Sequence, residues 1–129
     1  MFTRFHLIVI ADEDPAVSES IKFLLEVDGL QAHACGDGIE LLSYPRLVEA
    51  ACVVIDGRTR PIDGFEVAAR LWARHPLMPV VFTTTDATAG LRRRASIAGV
   101  RCVLEKPFLG DVLLESIRGV MRFSDRKAS

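Results

Sequence analysis

Five short, almost uninterrupted apolar runs divide the chain, and between them apolar positions recur at helical spacing. The first run, Leu7–Ala11, is partly β-branched and closes on Asp12 and Glu13, the pattern of a strand covered on both faces. Asp14-Pro15 then offers an N-cap and a proline at the first helical position. Val17, Ile21, Leu24 and Leu25 follow at i, i+4, i+7 and i+8, one face of a helix that Gly29 ends.

The alternation then repeats. Leu30–Cys35 predicts a second strand, and Ile39–Leu47 a helix that Pro45 interrupts. Cys52–Ile55 predicts a third strand ending at Asp56. Past a loop with Pro61 and Gly64, the residues Phe65, Ala68, Leu71 and Trp72 form the apolar face of the next helix. Pro79–Thr83 predicts the fourth strand, a helix runs from about Thr88 to Gly99, and Cys102–Leu104 predicts the fifth strand. Leu109, Val112, Leu113, Ile117, Val120 and Met121 are the expected inward face of the last helix. Strands alternating with helices across short loops imply an α/β domain, a parallel sheet with helices on both faces.

The 129 residues suffice for one domain with a substantial core. A formal net charge of −1 gives no basic field to hold nucleic acid or an anionic membrane, so direct nucleic-acid binding is not expected. No apolar run approaches the roughly 20 residues that cross a bilayer. The stretch Leu7–Ala11 is also too short for the core of a signal peptide. Cys35, Cys52 and Cys102 cannot all pair and show no C-x-x-C spacing, which predicts reduced thiols in the cytoplasm. His6, His33 and His75 match no ligand spacing, so a histidine metal site is not expected. Arg92-Arg93-Arg94 reads as a solvated helix face, with docking of an acidic partner as the rival reading.

Polar chemistry collects at the strand ends. Asp12 and Glu13 follow the first strand, Asp56 the third, Thr83-Thr84-Thr85 the fourth, and Glu105-Lys106-Pro107 the fifth. In open parallel sheets, ligands bind outside these ends. If the first and third strands are neighbours, three carboxylates converge and raise one another's pKa unless a cation sits among them. Carboxylates with retained waters suit Mg²⁺. A nearby hydroxyl and ammonium then match the oxygens of a transferred phosphoryl group.

Those strand-end acids, Val53-Val54-Ile55-Asp56, Asp63-Gly64, the Pro79–Thr84 strand, Ala98-Gly99 and Glu105-Lys106-Pro107-Phe108 resemble the CheY-like receiver domains of bacterial response regulators. The order of the motifs and Arg58 look most like the receivers of FixJ- and NtrC-type regulators. The resemblance implies a flavodoxin-like, doubly wound (βα)5 sheet of strand order 2-1-3-4-5. It implies a receiver over residues 1–122, with 123–129 a polar tail or a truncated linker. It makes Asp56 the phosphoacceptor, assisted by Thr84 and Lys106. Mg²⁺ would be held by Asp12, Glu13, Asp56 and the backbone carbonyl of Arg58. It also implies a cis Lys106–Pro107 bond. The expected role is signalling in a cytoplasmic two-component phosphorelay, with catalysis confined to the domain's own phosphoryl transfer and loss. A sensor histidine kinase or phosphotransfer protein would donate the phosphoryl group. Partner binding would change through the face formed by the fourth helix, fifth strand and fifth helix. The output is a downstream protein or an effector domain beyond this chain, with phosphorylation-dependent dimerisation left open.

Three positions depart from the family pattern. Glu13 stands where an aspartate is usual, Arg60 where a proline is usual with Pro61 displaced by one, and Val103 where the fifth strand usually carries an aromatic. A degenerate receiver that binds partners without phosphorylation is the alternative these changes favour. A small hydrolase using Asp56 as nucleophile is the other rival, weakened because no acid lies two residues after Asp56.

Overall fold

A computed structural model describes residues 6–128, with side chains through Arg122. The strands are β1 (Leu7–Ala11), β2 (Gln31–Cys35), β3 (Ala50–Asp56), β4 (Val80–Thr84) and β5 (Cys102–Glu105). The α-helices are α1 (Pro15–Val27), α2 (Gly38–Leu42), α3 (Gly64–Arg74), α4 (Ala89–Ile97) and α5 (Gly110–Ala128). All strand pairings are parallel, in the order β2-β1-β3-β4-β5. The expected fold class and strand order are both present.

The apolar runs form strands because each residue finds a hydrophobic layer on its side of the sheet. Leu7, Val9 and Ala11 of β1 join Val53 and Ile55 of β3 against Leu41 of α2 and Val67, Ala68 and Leu71 of α3. The alternate residues Ile8, Ile10, Cys52 and Val54 pack against Ile21 and Leu25 of α1 and Leu113 and Ile117 of α5. Period-two alternation therefore divides one continuous apolar run between two cores. β1 and β3 lie inside the sheet, and every residue of β1 is buried.

Side-chain caps set the helix starts. Asp14, Asp37, Asp63 and Thr88 each accept a backbone N–H from the first turn, at 2.8–3.1 Å. Such caps replace hydrogen bonds that the first turn of a helix lacks.

Several expectations are corrected. The second helix ends at Leu42 instead of running to Leu47, and Leu47 lies in a 3₁₀ turn, Leu47–Glu49. Pro45 has no N–H to donate and disfavours helical backbone at Tyr44, so the helix stops ahead of both. Leu47 is nevertheless buried. On α3, Val67 takes the buried place assigned to Trp72, which is 50% exposed. Leu109 precedes α5, and both it and Val112 are exposed, because the buried stripe runs Leu113, Ile117, Val120 and Met121. Strand limits move by one or two residues at β2, β3, β4 and β5. In the tail expected at 123–129, α5 continues through Ala128, while Ser129 and residues 1–5 lie outside the described residues.

Trp72 does have a structural contact. Gly99, after α4, has φ +89°, and a Cβ there would lie 2.9 Å from the Trp72 ring. The left-handed backbone and the close indole each exclude a side chain. Gly99→Ala should therefore destabilise the chain by about 1–3 kcal/mol in urea unfolding. The loss should be partly recovered when Trp72 is also changed to Ala; equal losses in both backgrounds would show that the indole contributes nothing.

Candidate functional site

β1 and β3 are neighbours, with β2 outside β1 and β4 outside β3, so successive crossovers leave in opposite directions and open a crevice at the carboxyl ends. Asp12 directly follows β1, Asp56 ends β3, Thr84 ends β4 and Lys106 follows β5. Lys106 Nζ lies 3.3 Å from Asp56 Oδ1 and 3.4 Å from Asp12 Oδ2. Lys106 thus joins Asp12, 94 positions away in sequence, to Asp56.

The surrounding backbone fixes this triad. Asp12 Oδ1 accepts the Asp14 N–H at 2.9 Å, and the Asp12 N–H donates to the Cys35 carbonyl at 3.2 Å. The Lys106 N–H donates to the Thr84 carbonyl at 2.7 Å, aligning the ends of β4 and β5. Asp12 and Asp56 are both buried, at 4% and 7% exposure. Burial pushes the Asp12 carboxyl above its ordinary range, and the Asp56 charge pushes the same way; the Asp14 N–H and Lys106 oppose them. One ammonium leaves the pair of carboxylates short of positive charge.

The other expected residues are placed less tightly. Glu13 is exposed, and none of the described residues pairs with it. Arg58 lies two residues past Asp56, its side chain in solvent. The Thr84 hydroxyl accepts the Asp86 N–H at 3.1 Å and keeps its own proton to donate elsewhere. The buried carboxylate oxygens of Asp12 and Asp56 suit a hard divalent ion such as Mg²⁺ in donor type.

The Lys106–Pro107 bond is cis, as the family resemblance implied, and Arg60–Pro61 is cis as well. Sequence reasoning missed what holds the loop after Asp56. Thr59 is fully buried; its hydroxyl donates to the Ile62 carbonyl at 2.9 Å, and its N–H to the Asp56 carbonyl at 3.3 Å. A threonine beside a proline-bearing loop was the available signal for such a turn. Gly64 approaches so closely that a Cβ would lie 2.8 Å from the Asp56 carbonyl oxygen and from the Phe82 ring.

Phe82 was also missed as more than strand filling. It is wholly buried on β4, opposite Val103 on β5, and stacks on Phe65 with centroids 4.8 Å apart. The Arg94 guanidinium of α4 sits 4.0 Å over the Phe65 ring. Phe82 therefore packs against the loop after Asp56 and is linked to Arg94 of α4 only through the Phe65 ring.

Comparison with known proteins agrees with this geometry. The family model for the response regulator receiver domain matches residues 8–118. The chain is 31% identical over 128 residues to the transcriptional regulatory protein FixJ of Bradyrhizobium diazoefficiens, covering 99% of this chain and 62% of that protein. It is 30% identical to the response regulator MprA of Mycobacterium leprae, covering 89% of this chain and 50% of that protein. The chain thus spans between half and two thirds of these curated relatives. A CheY-like receiver from Methanospirillum hungatei has the same fold, with a TM-score of 0.89 at 22% identity, covering 95% of this chain and 98% of that one.

The chain belongs to the response regulator receiver domain family of two-component signalling. Among the described residues, no helix is long and apolar enough to cross a membrane.

The raised Asp12 carboxyl gives a pH prediction. A raised folded-state pKa means that ionised Asp12 costs stability above that pKa, and that the cost disappears below the unfolded value of 3.8. Asp12→Asn should raise the urea midpoint at pH 7 in EDTA, and the gain should shrink as pH falls toward 4. A variant less stable than the parent at pH 7 would show that the Lys106 contact outweighs burial.

Proposed function

We propose that this receiver accepts a phosphoryl group on Asp56 from a phosphohistidine, with Mg²⁺ as cofactor. The observation that carries the reading is the buried Asp12–Lys106–Asp56 arrangement at the strand ends. An Asp56 carboxylate oxygen attacks phosphorus, the O–P bond forms as the P–N bond breaks, and the electron pair returns to the imidazole, which is protonated. Lys106 already spans the pocket, so it can follow charge from the carboxylates onto the phosphoryl oxygens without a large movement. The Thr84 hydroxyl has a proton to give a second oxygen. Bound by Asp12, Asp56, Glu13 and the Arg58 carbonyl, Mg²⁺ would supply the positive charge that one lysine lacks. Catalysis is then limited to the domain's own phosphoryl transfer and hydrolysis.

A sensor histidine kinase or phosphotransfer protein is the proposed donor. An apolar groove of about 620 Å³ beside Lys106, lined by Val17, Ile21, Pro107 and Phe108, offers a surface on which a donor helix could dock. The downstream partner, protein or effector domain, would read the α4–β5–α5 face. Glu13, exposed and unpaired among the described residues, supports a second reading in which the domain binds partners without phosphorylation.

One measurement separates the two. Acetyl phosphate with Mg²⁺ should add a single phosphoryl group by intact-mass spectrometry, and Asp56→Asn should abolish it. Labelling that persists in the Asn variant would misplace the acceptor; no labelling, with no joint binding of beryllofluoride and Mg²⁺, would favour the second reading.

Val103 also predicts how the state is transmitted. It is smaller than an aromatic and stiff at χ1, whereas Phe82, Phe65 and Arg94 connect the acceptor loop to α4. Hydrogen exchange with beryllofluoride should change most from Thr84 through the start of α4, and less around Val103. Phe65→Ala should reduce the change in α4 while leaving labelling of Asp56 intact. Changes centred on Val103 instead would overturn this assignment.

A further inference from the structure

A second cluster of metal-ligating side chains lies at the edge of the sheet. His33 and Cys35 point from β2 toward the α2 side, since they pair with Val9 and Ala11 of the core on that side. Glu40 comes back from α2, and one donor atom from each of the three lies within 4.8 Å of the others. We propose that His33, Cys35 and Glu40 form a binding site for a divalent transition-metal ion of the Zn²⁺ type, distinct from the carboxylate pocket around Asp56.

The donor chemistry favours this class of ion. One thiolate, one imidazole and one carboxylate suit Zn²⁺, whereas Mg²⁺ calls for oxygen alone. Tetrahedral zinc, with bonds of about 2.0–2.3 Å, places its ligands about 3.3–3.7 Å apart. The cluster therefore needs to close by about an ångström, and Glu40 is exposed and able to move.

The ligands are also supported from behind, as metal ligands commonly are. The His33 ring stacks on Tyr44, with centroids 4.1 Å apart and planes 5° from parallel. Glu40 Oε1 accepts the Gly36 N–H at 3.0 Å, leaving its other oxygen for an ion. Asp37, which caps Glu40 at 2.8 Å, adds a second carboxylate to the corner. Cys35 is 1% exposed, while half-buried His33 and exposed Glu40 leave the outer side open to an entering ion and a water ligand. Sequence spacing hides the site, because two ligands are alternate residues of a strand and the third arrives from the next helix.

The test uses the full chain, reduced and freed of metal, titrated with Co²⁺ as a spectroscopic probe and then with Zn²⁺. One equivalent of Co²⁺ should produce a thiolate-to-metal charge-transfer band that Zn²⁺ removes. Cys35→Ser should abolish the band. His33→Gln and Glu40→Gln should weaken binding by about tenfold or more, since loss of an outer-shell partner alone has that effect. A combined Asp12→Asn, Asp56→Asn variant should bind normally. Should Cys35→Ser fail to fold, His33→Gln decides alone, with folding checked by circular dichroism and acetyl phosphate labelling of Asp56 expected to persist. Absence of the band, or a band of unchanged affinity in His33→Gln, would overturn the proposal and leave the Asp56 reading intact.

Discussion

One ammonium between two buried carboxylates is the interaction around which this domain is arranged. Burying an ion costs several kcal/mol even after relaxation. Asp12 and Asp56 are kept out of water by the same strands that bring them together, and Lys106 offsets only part of that cost. The raised Asp12 carboxyl is the residue of that imbalance. A pocket in this condition favours added positive charge, and in the proposed reaction Lys106 remains beside the phosphoryl group that then occupies the site.

The sheet makes the arrangement possible at low structural cost. β1 and β3 are interior strands covered on both faces, so their ends are set by registers that cannot slip without exposing two cores. The side chains just past those ends inherit that precision. Lys106 arrives from the edge strand β5, which is less buried, and the hydrogen bond from its N–H to Thr84 aligns it with the interior. Rigid strands thus present the chemistry, while the loops after them are free to differ. The loop past Asp56 closes on Thr59 and a cis Arg60–Pro61 bond.

Val103, where the family resemblance implies an aromatic, has a phenylalanine beside it in the sheet. Interior packing is dense, so volume lost on one strand is filled from another. Here Phe82 lies in register beside Val103 and stacks against Phe65, over whose ring Arg94 sits. Val103 pairs with a phenylalanine, and the loop carrying Pro61 is held by the buried Thr59. Glu13 has no such partner among the described residues.

Much of this was legible in the sequence, for identifiable reasons. Continuous apolar runs between capped, amphipathic segments determine parallel strands, because only a sheet with helices on both faces hides such runs from water. Asp12, Asp56, Thr84 and Lys106 were readable because they stand directly at strand ends, where topology alone brings them together. What tertiary structure decided depended on distance in space between parts remote along the chain. Trp72 faces solvent and Val67 the core because α3 rotates to meet β1 and β3. Leu109 and Val112 are exposed because α5 rolls onto Leu113 and Ile117. The Phe82–Phe65–Arg94 stack and the meeting of His33, Cys35 and Glu40 arise from packing between elements, which no spacing along a single element encodes.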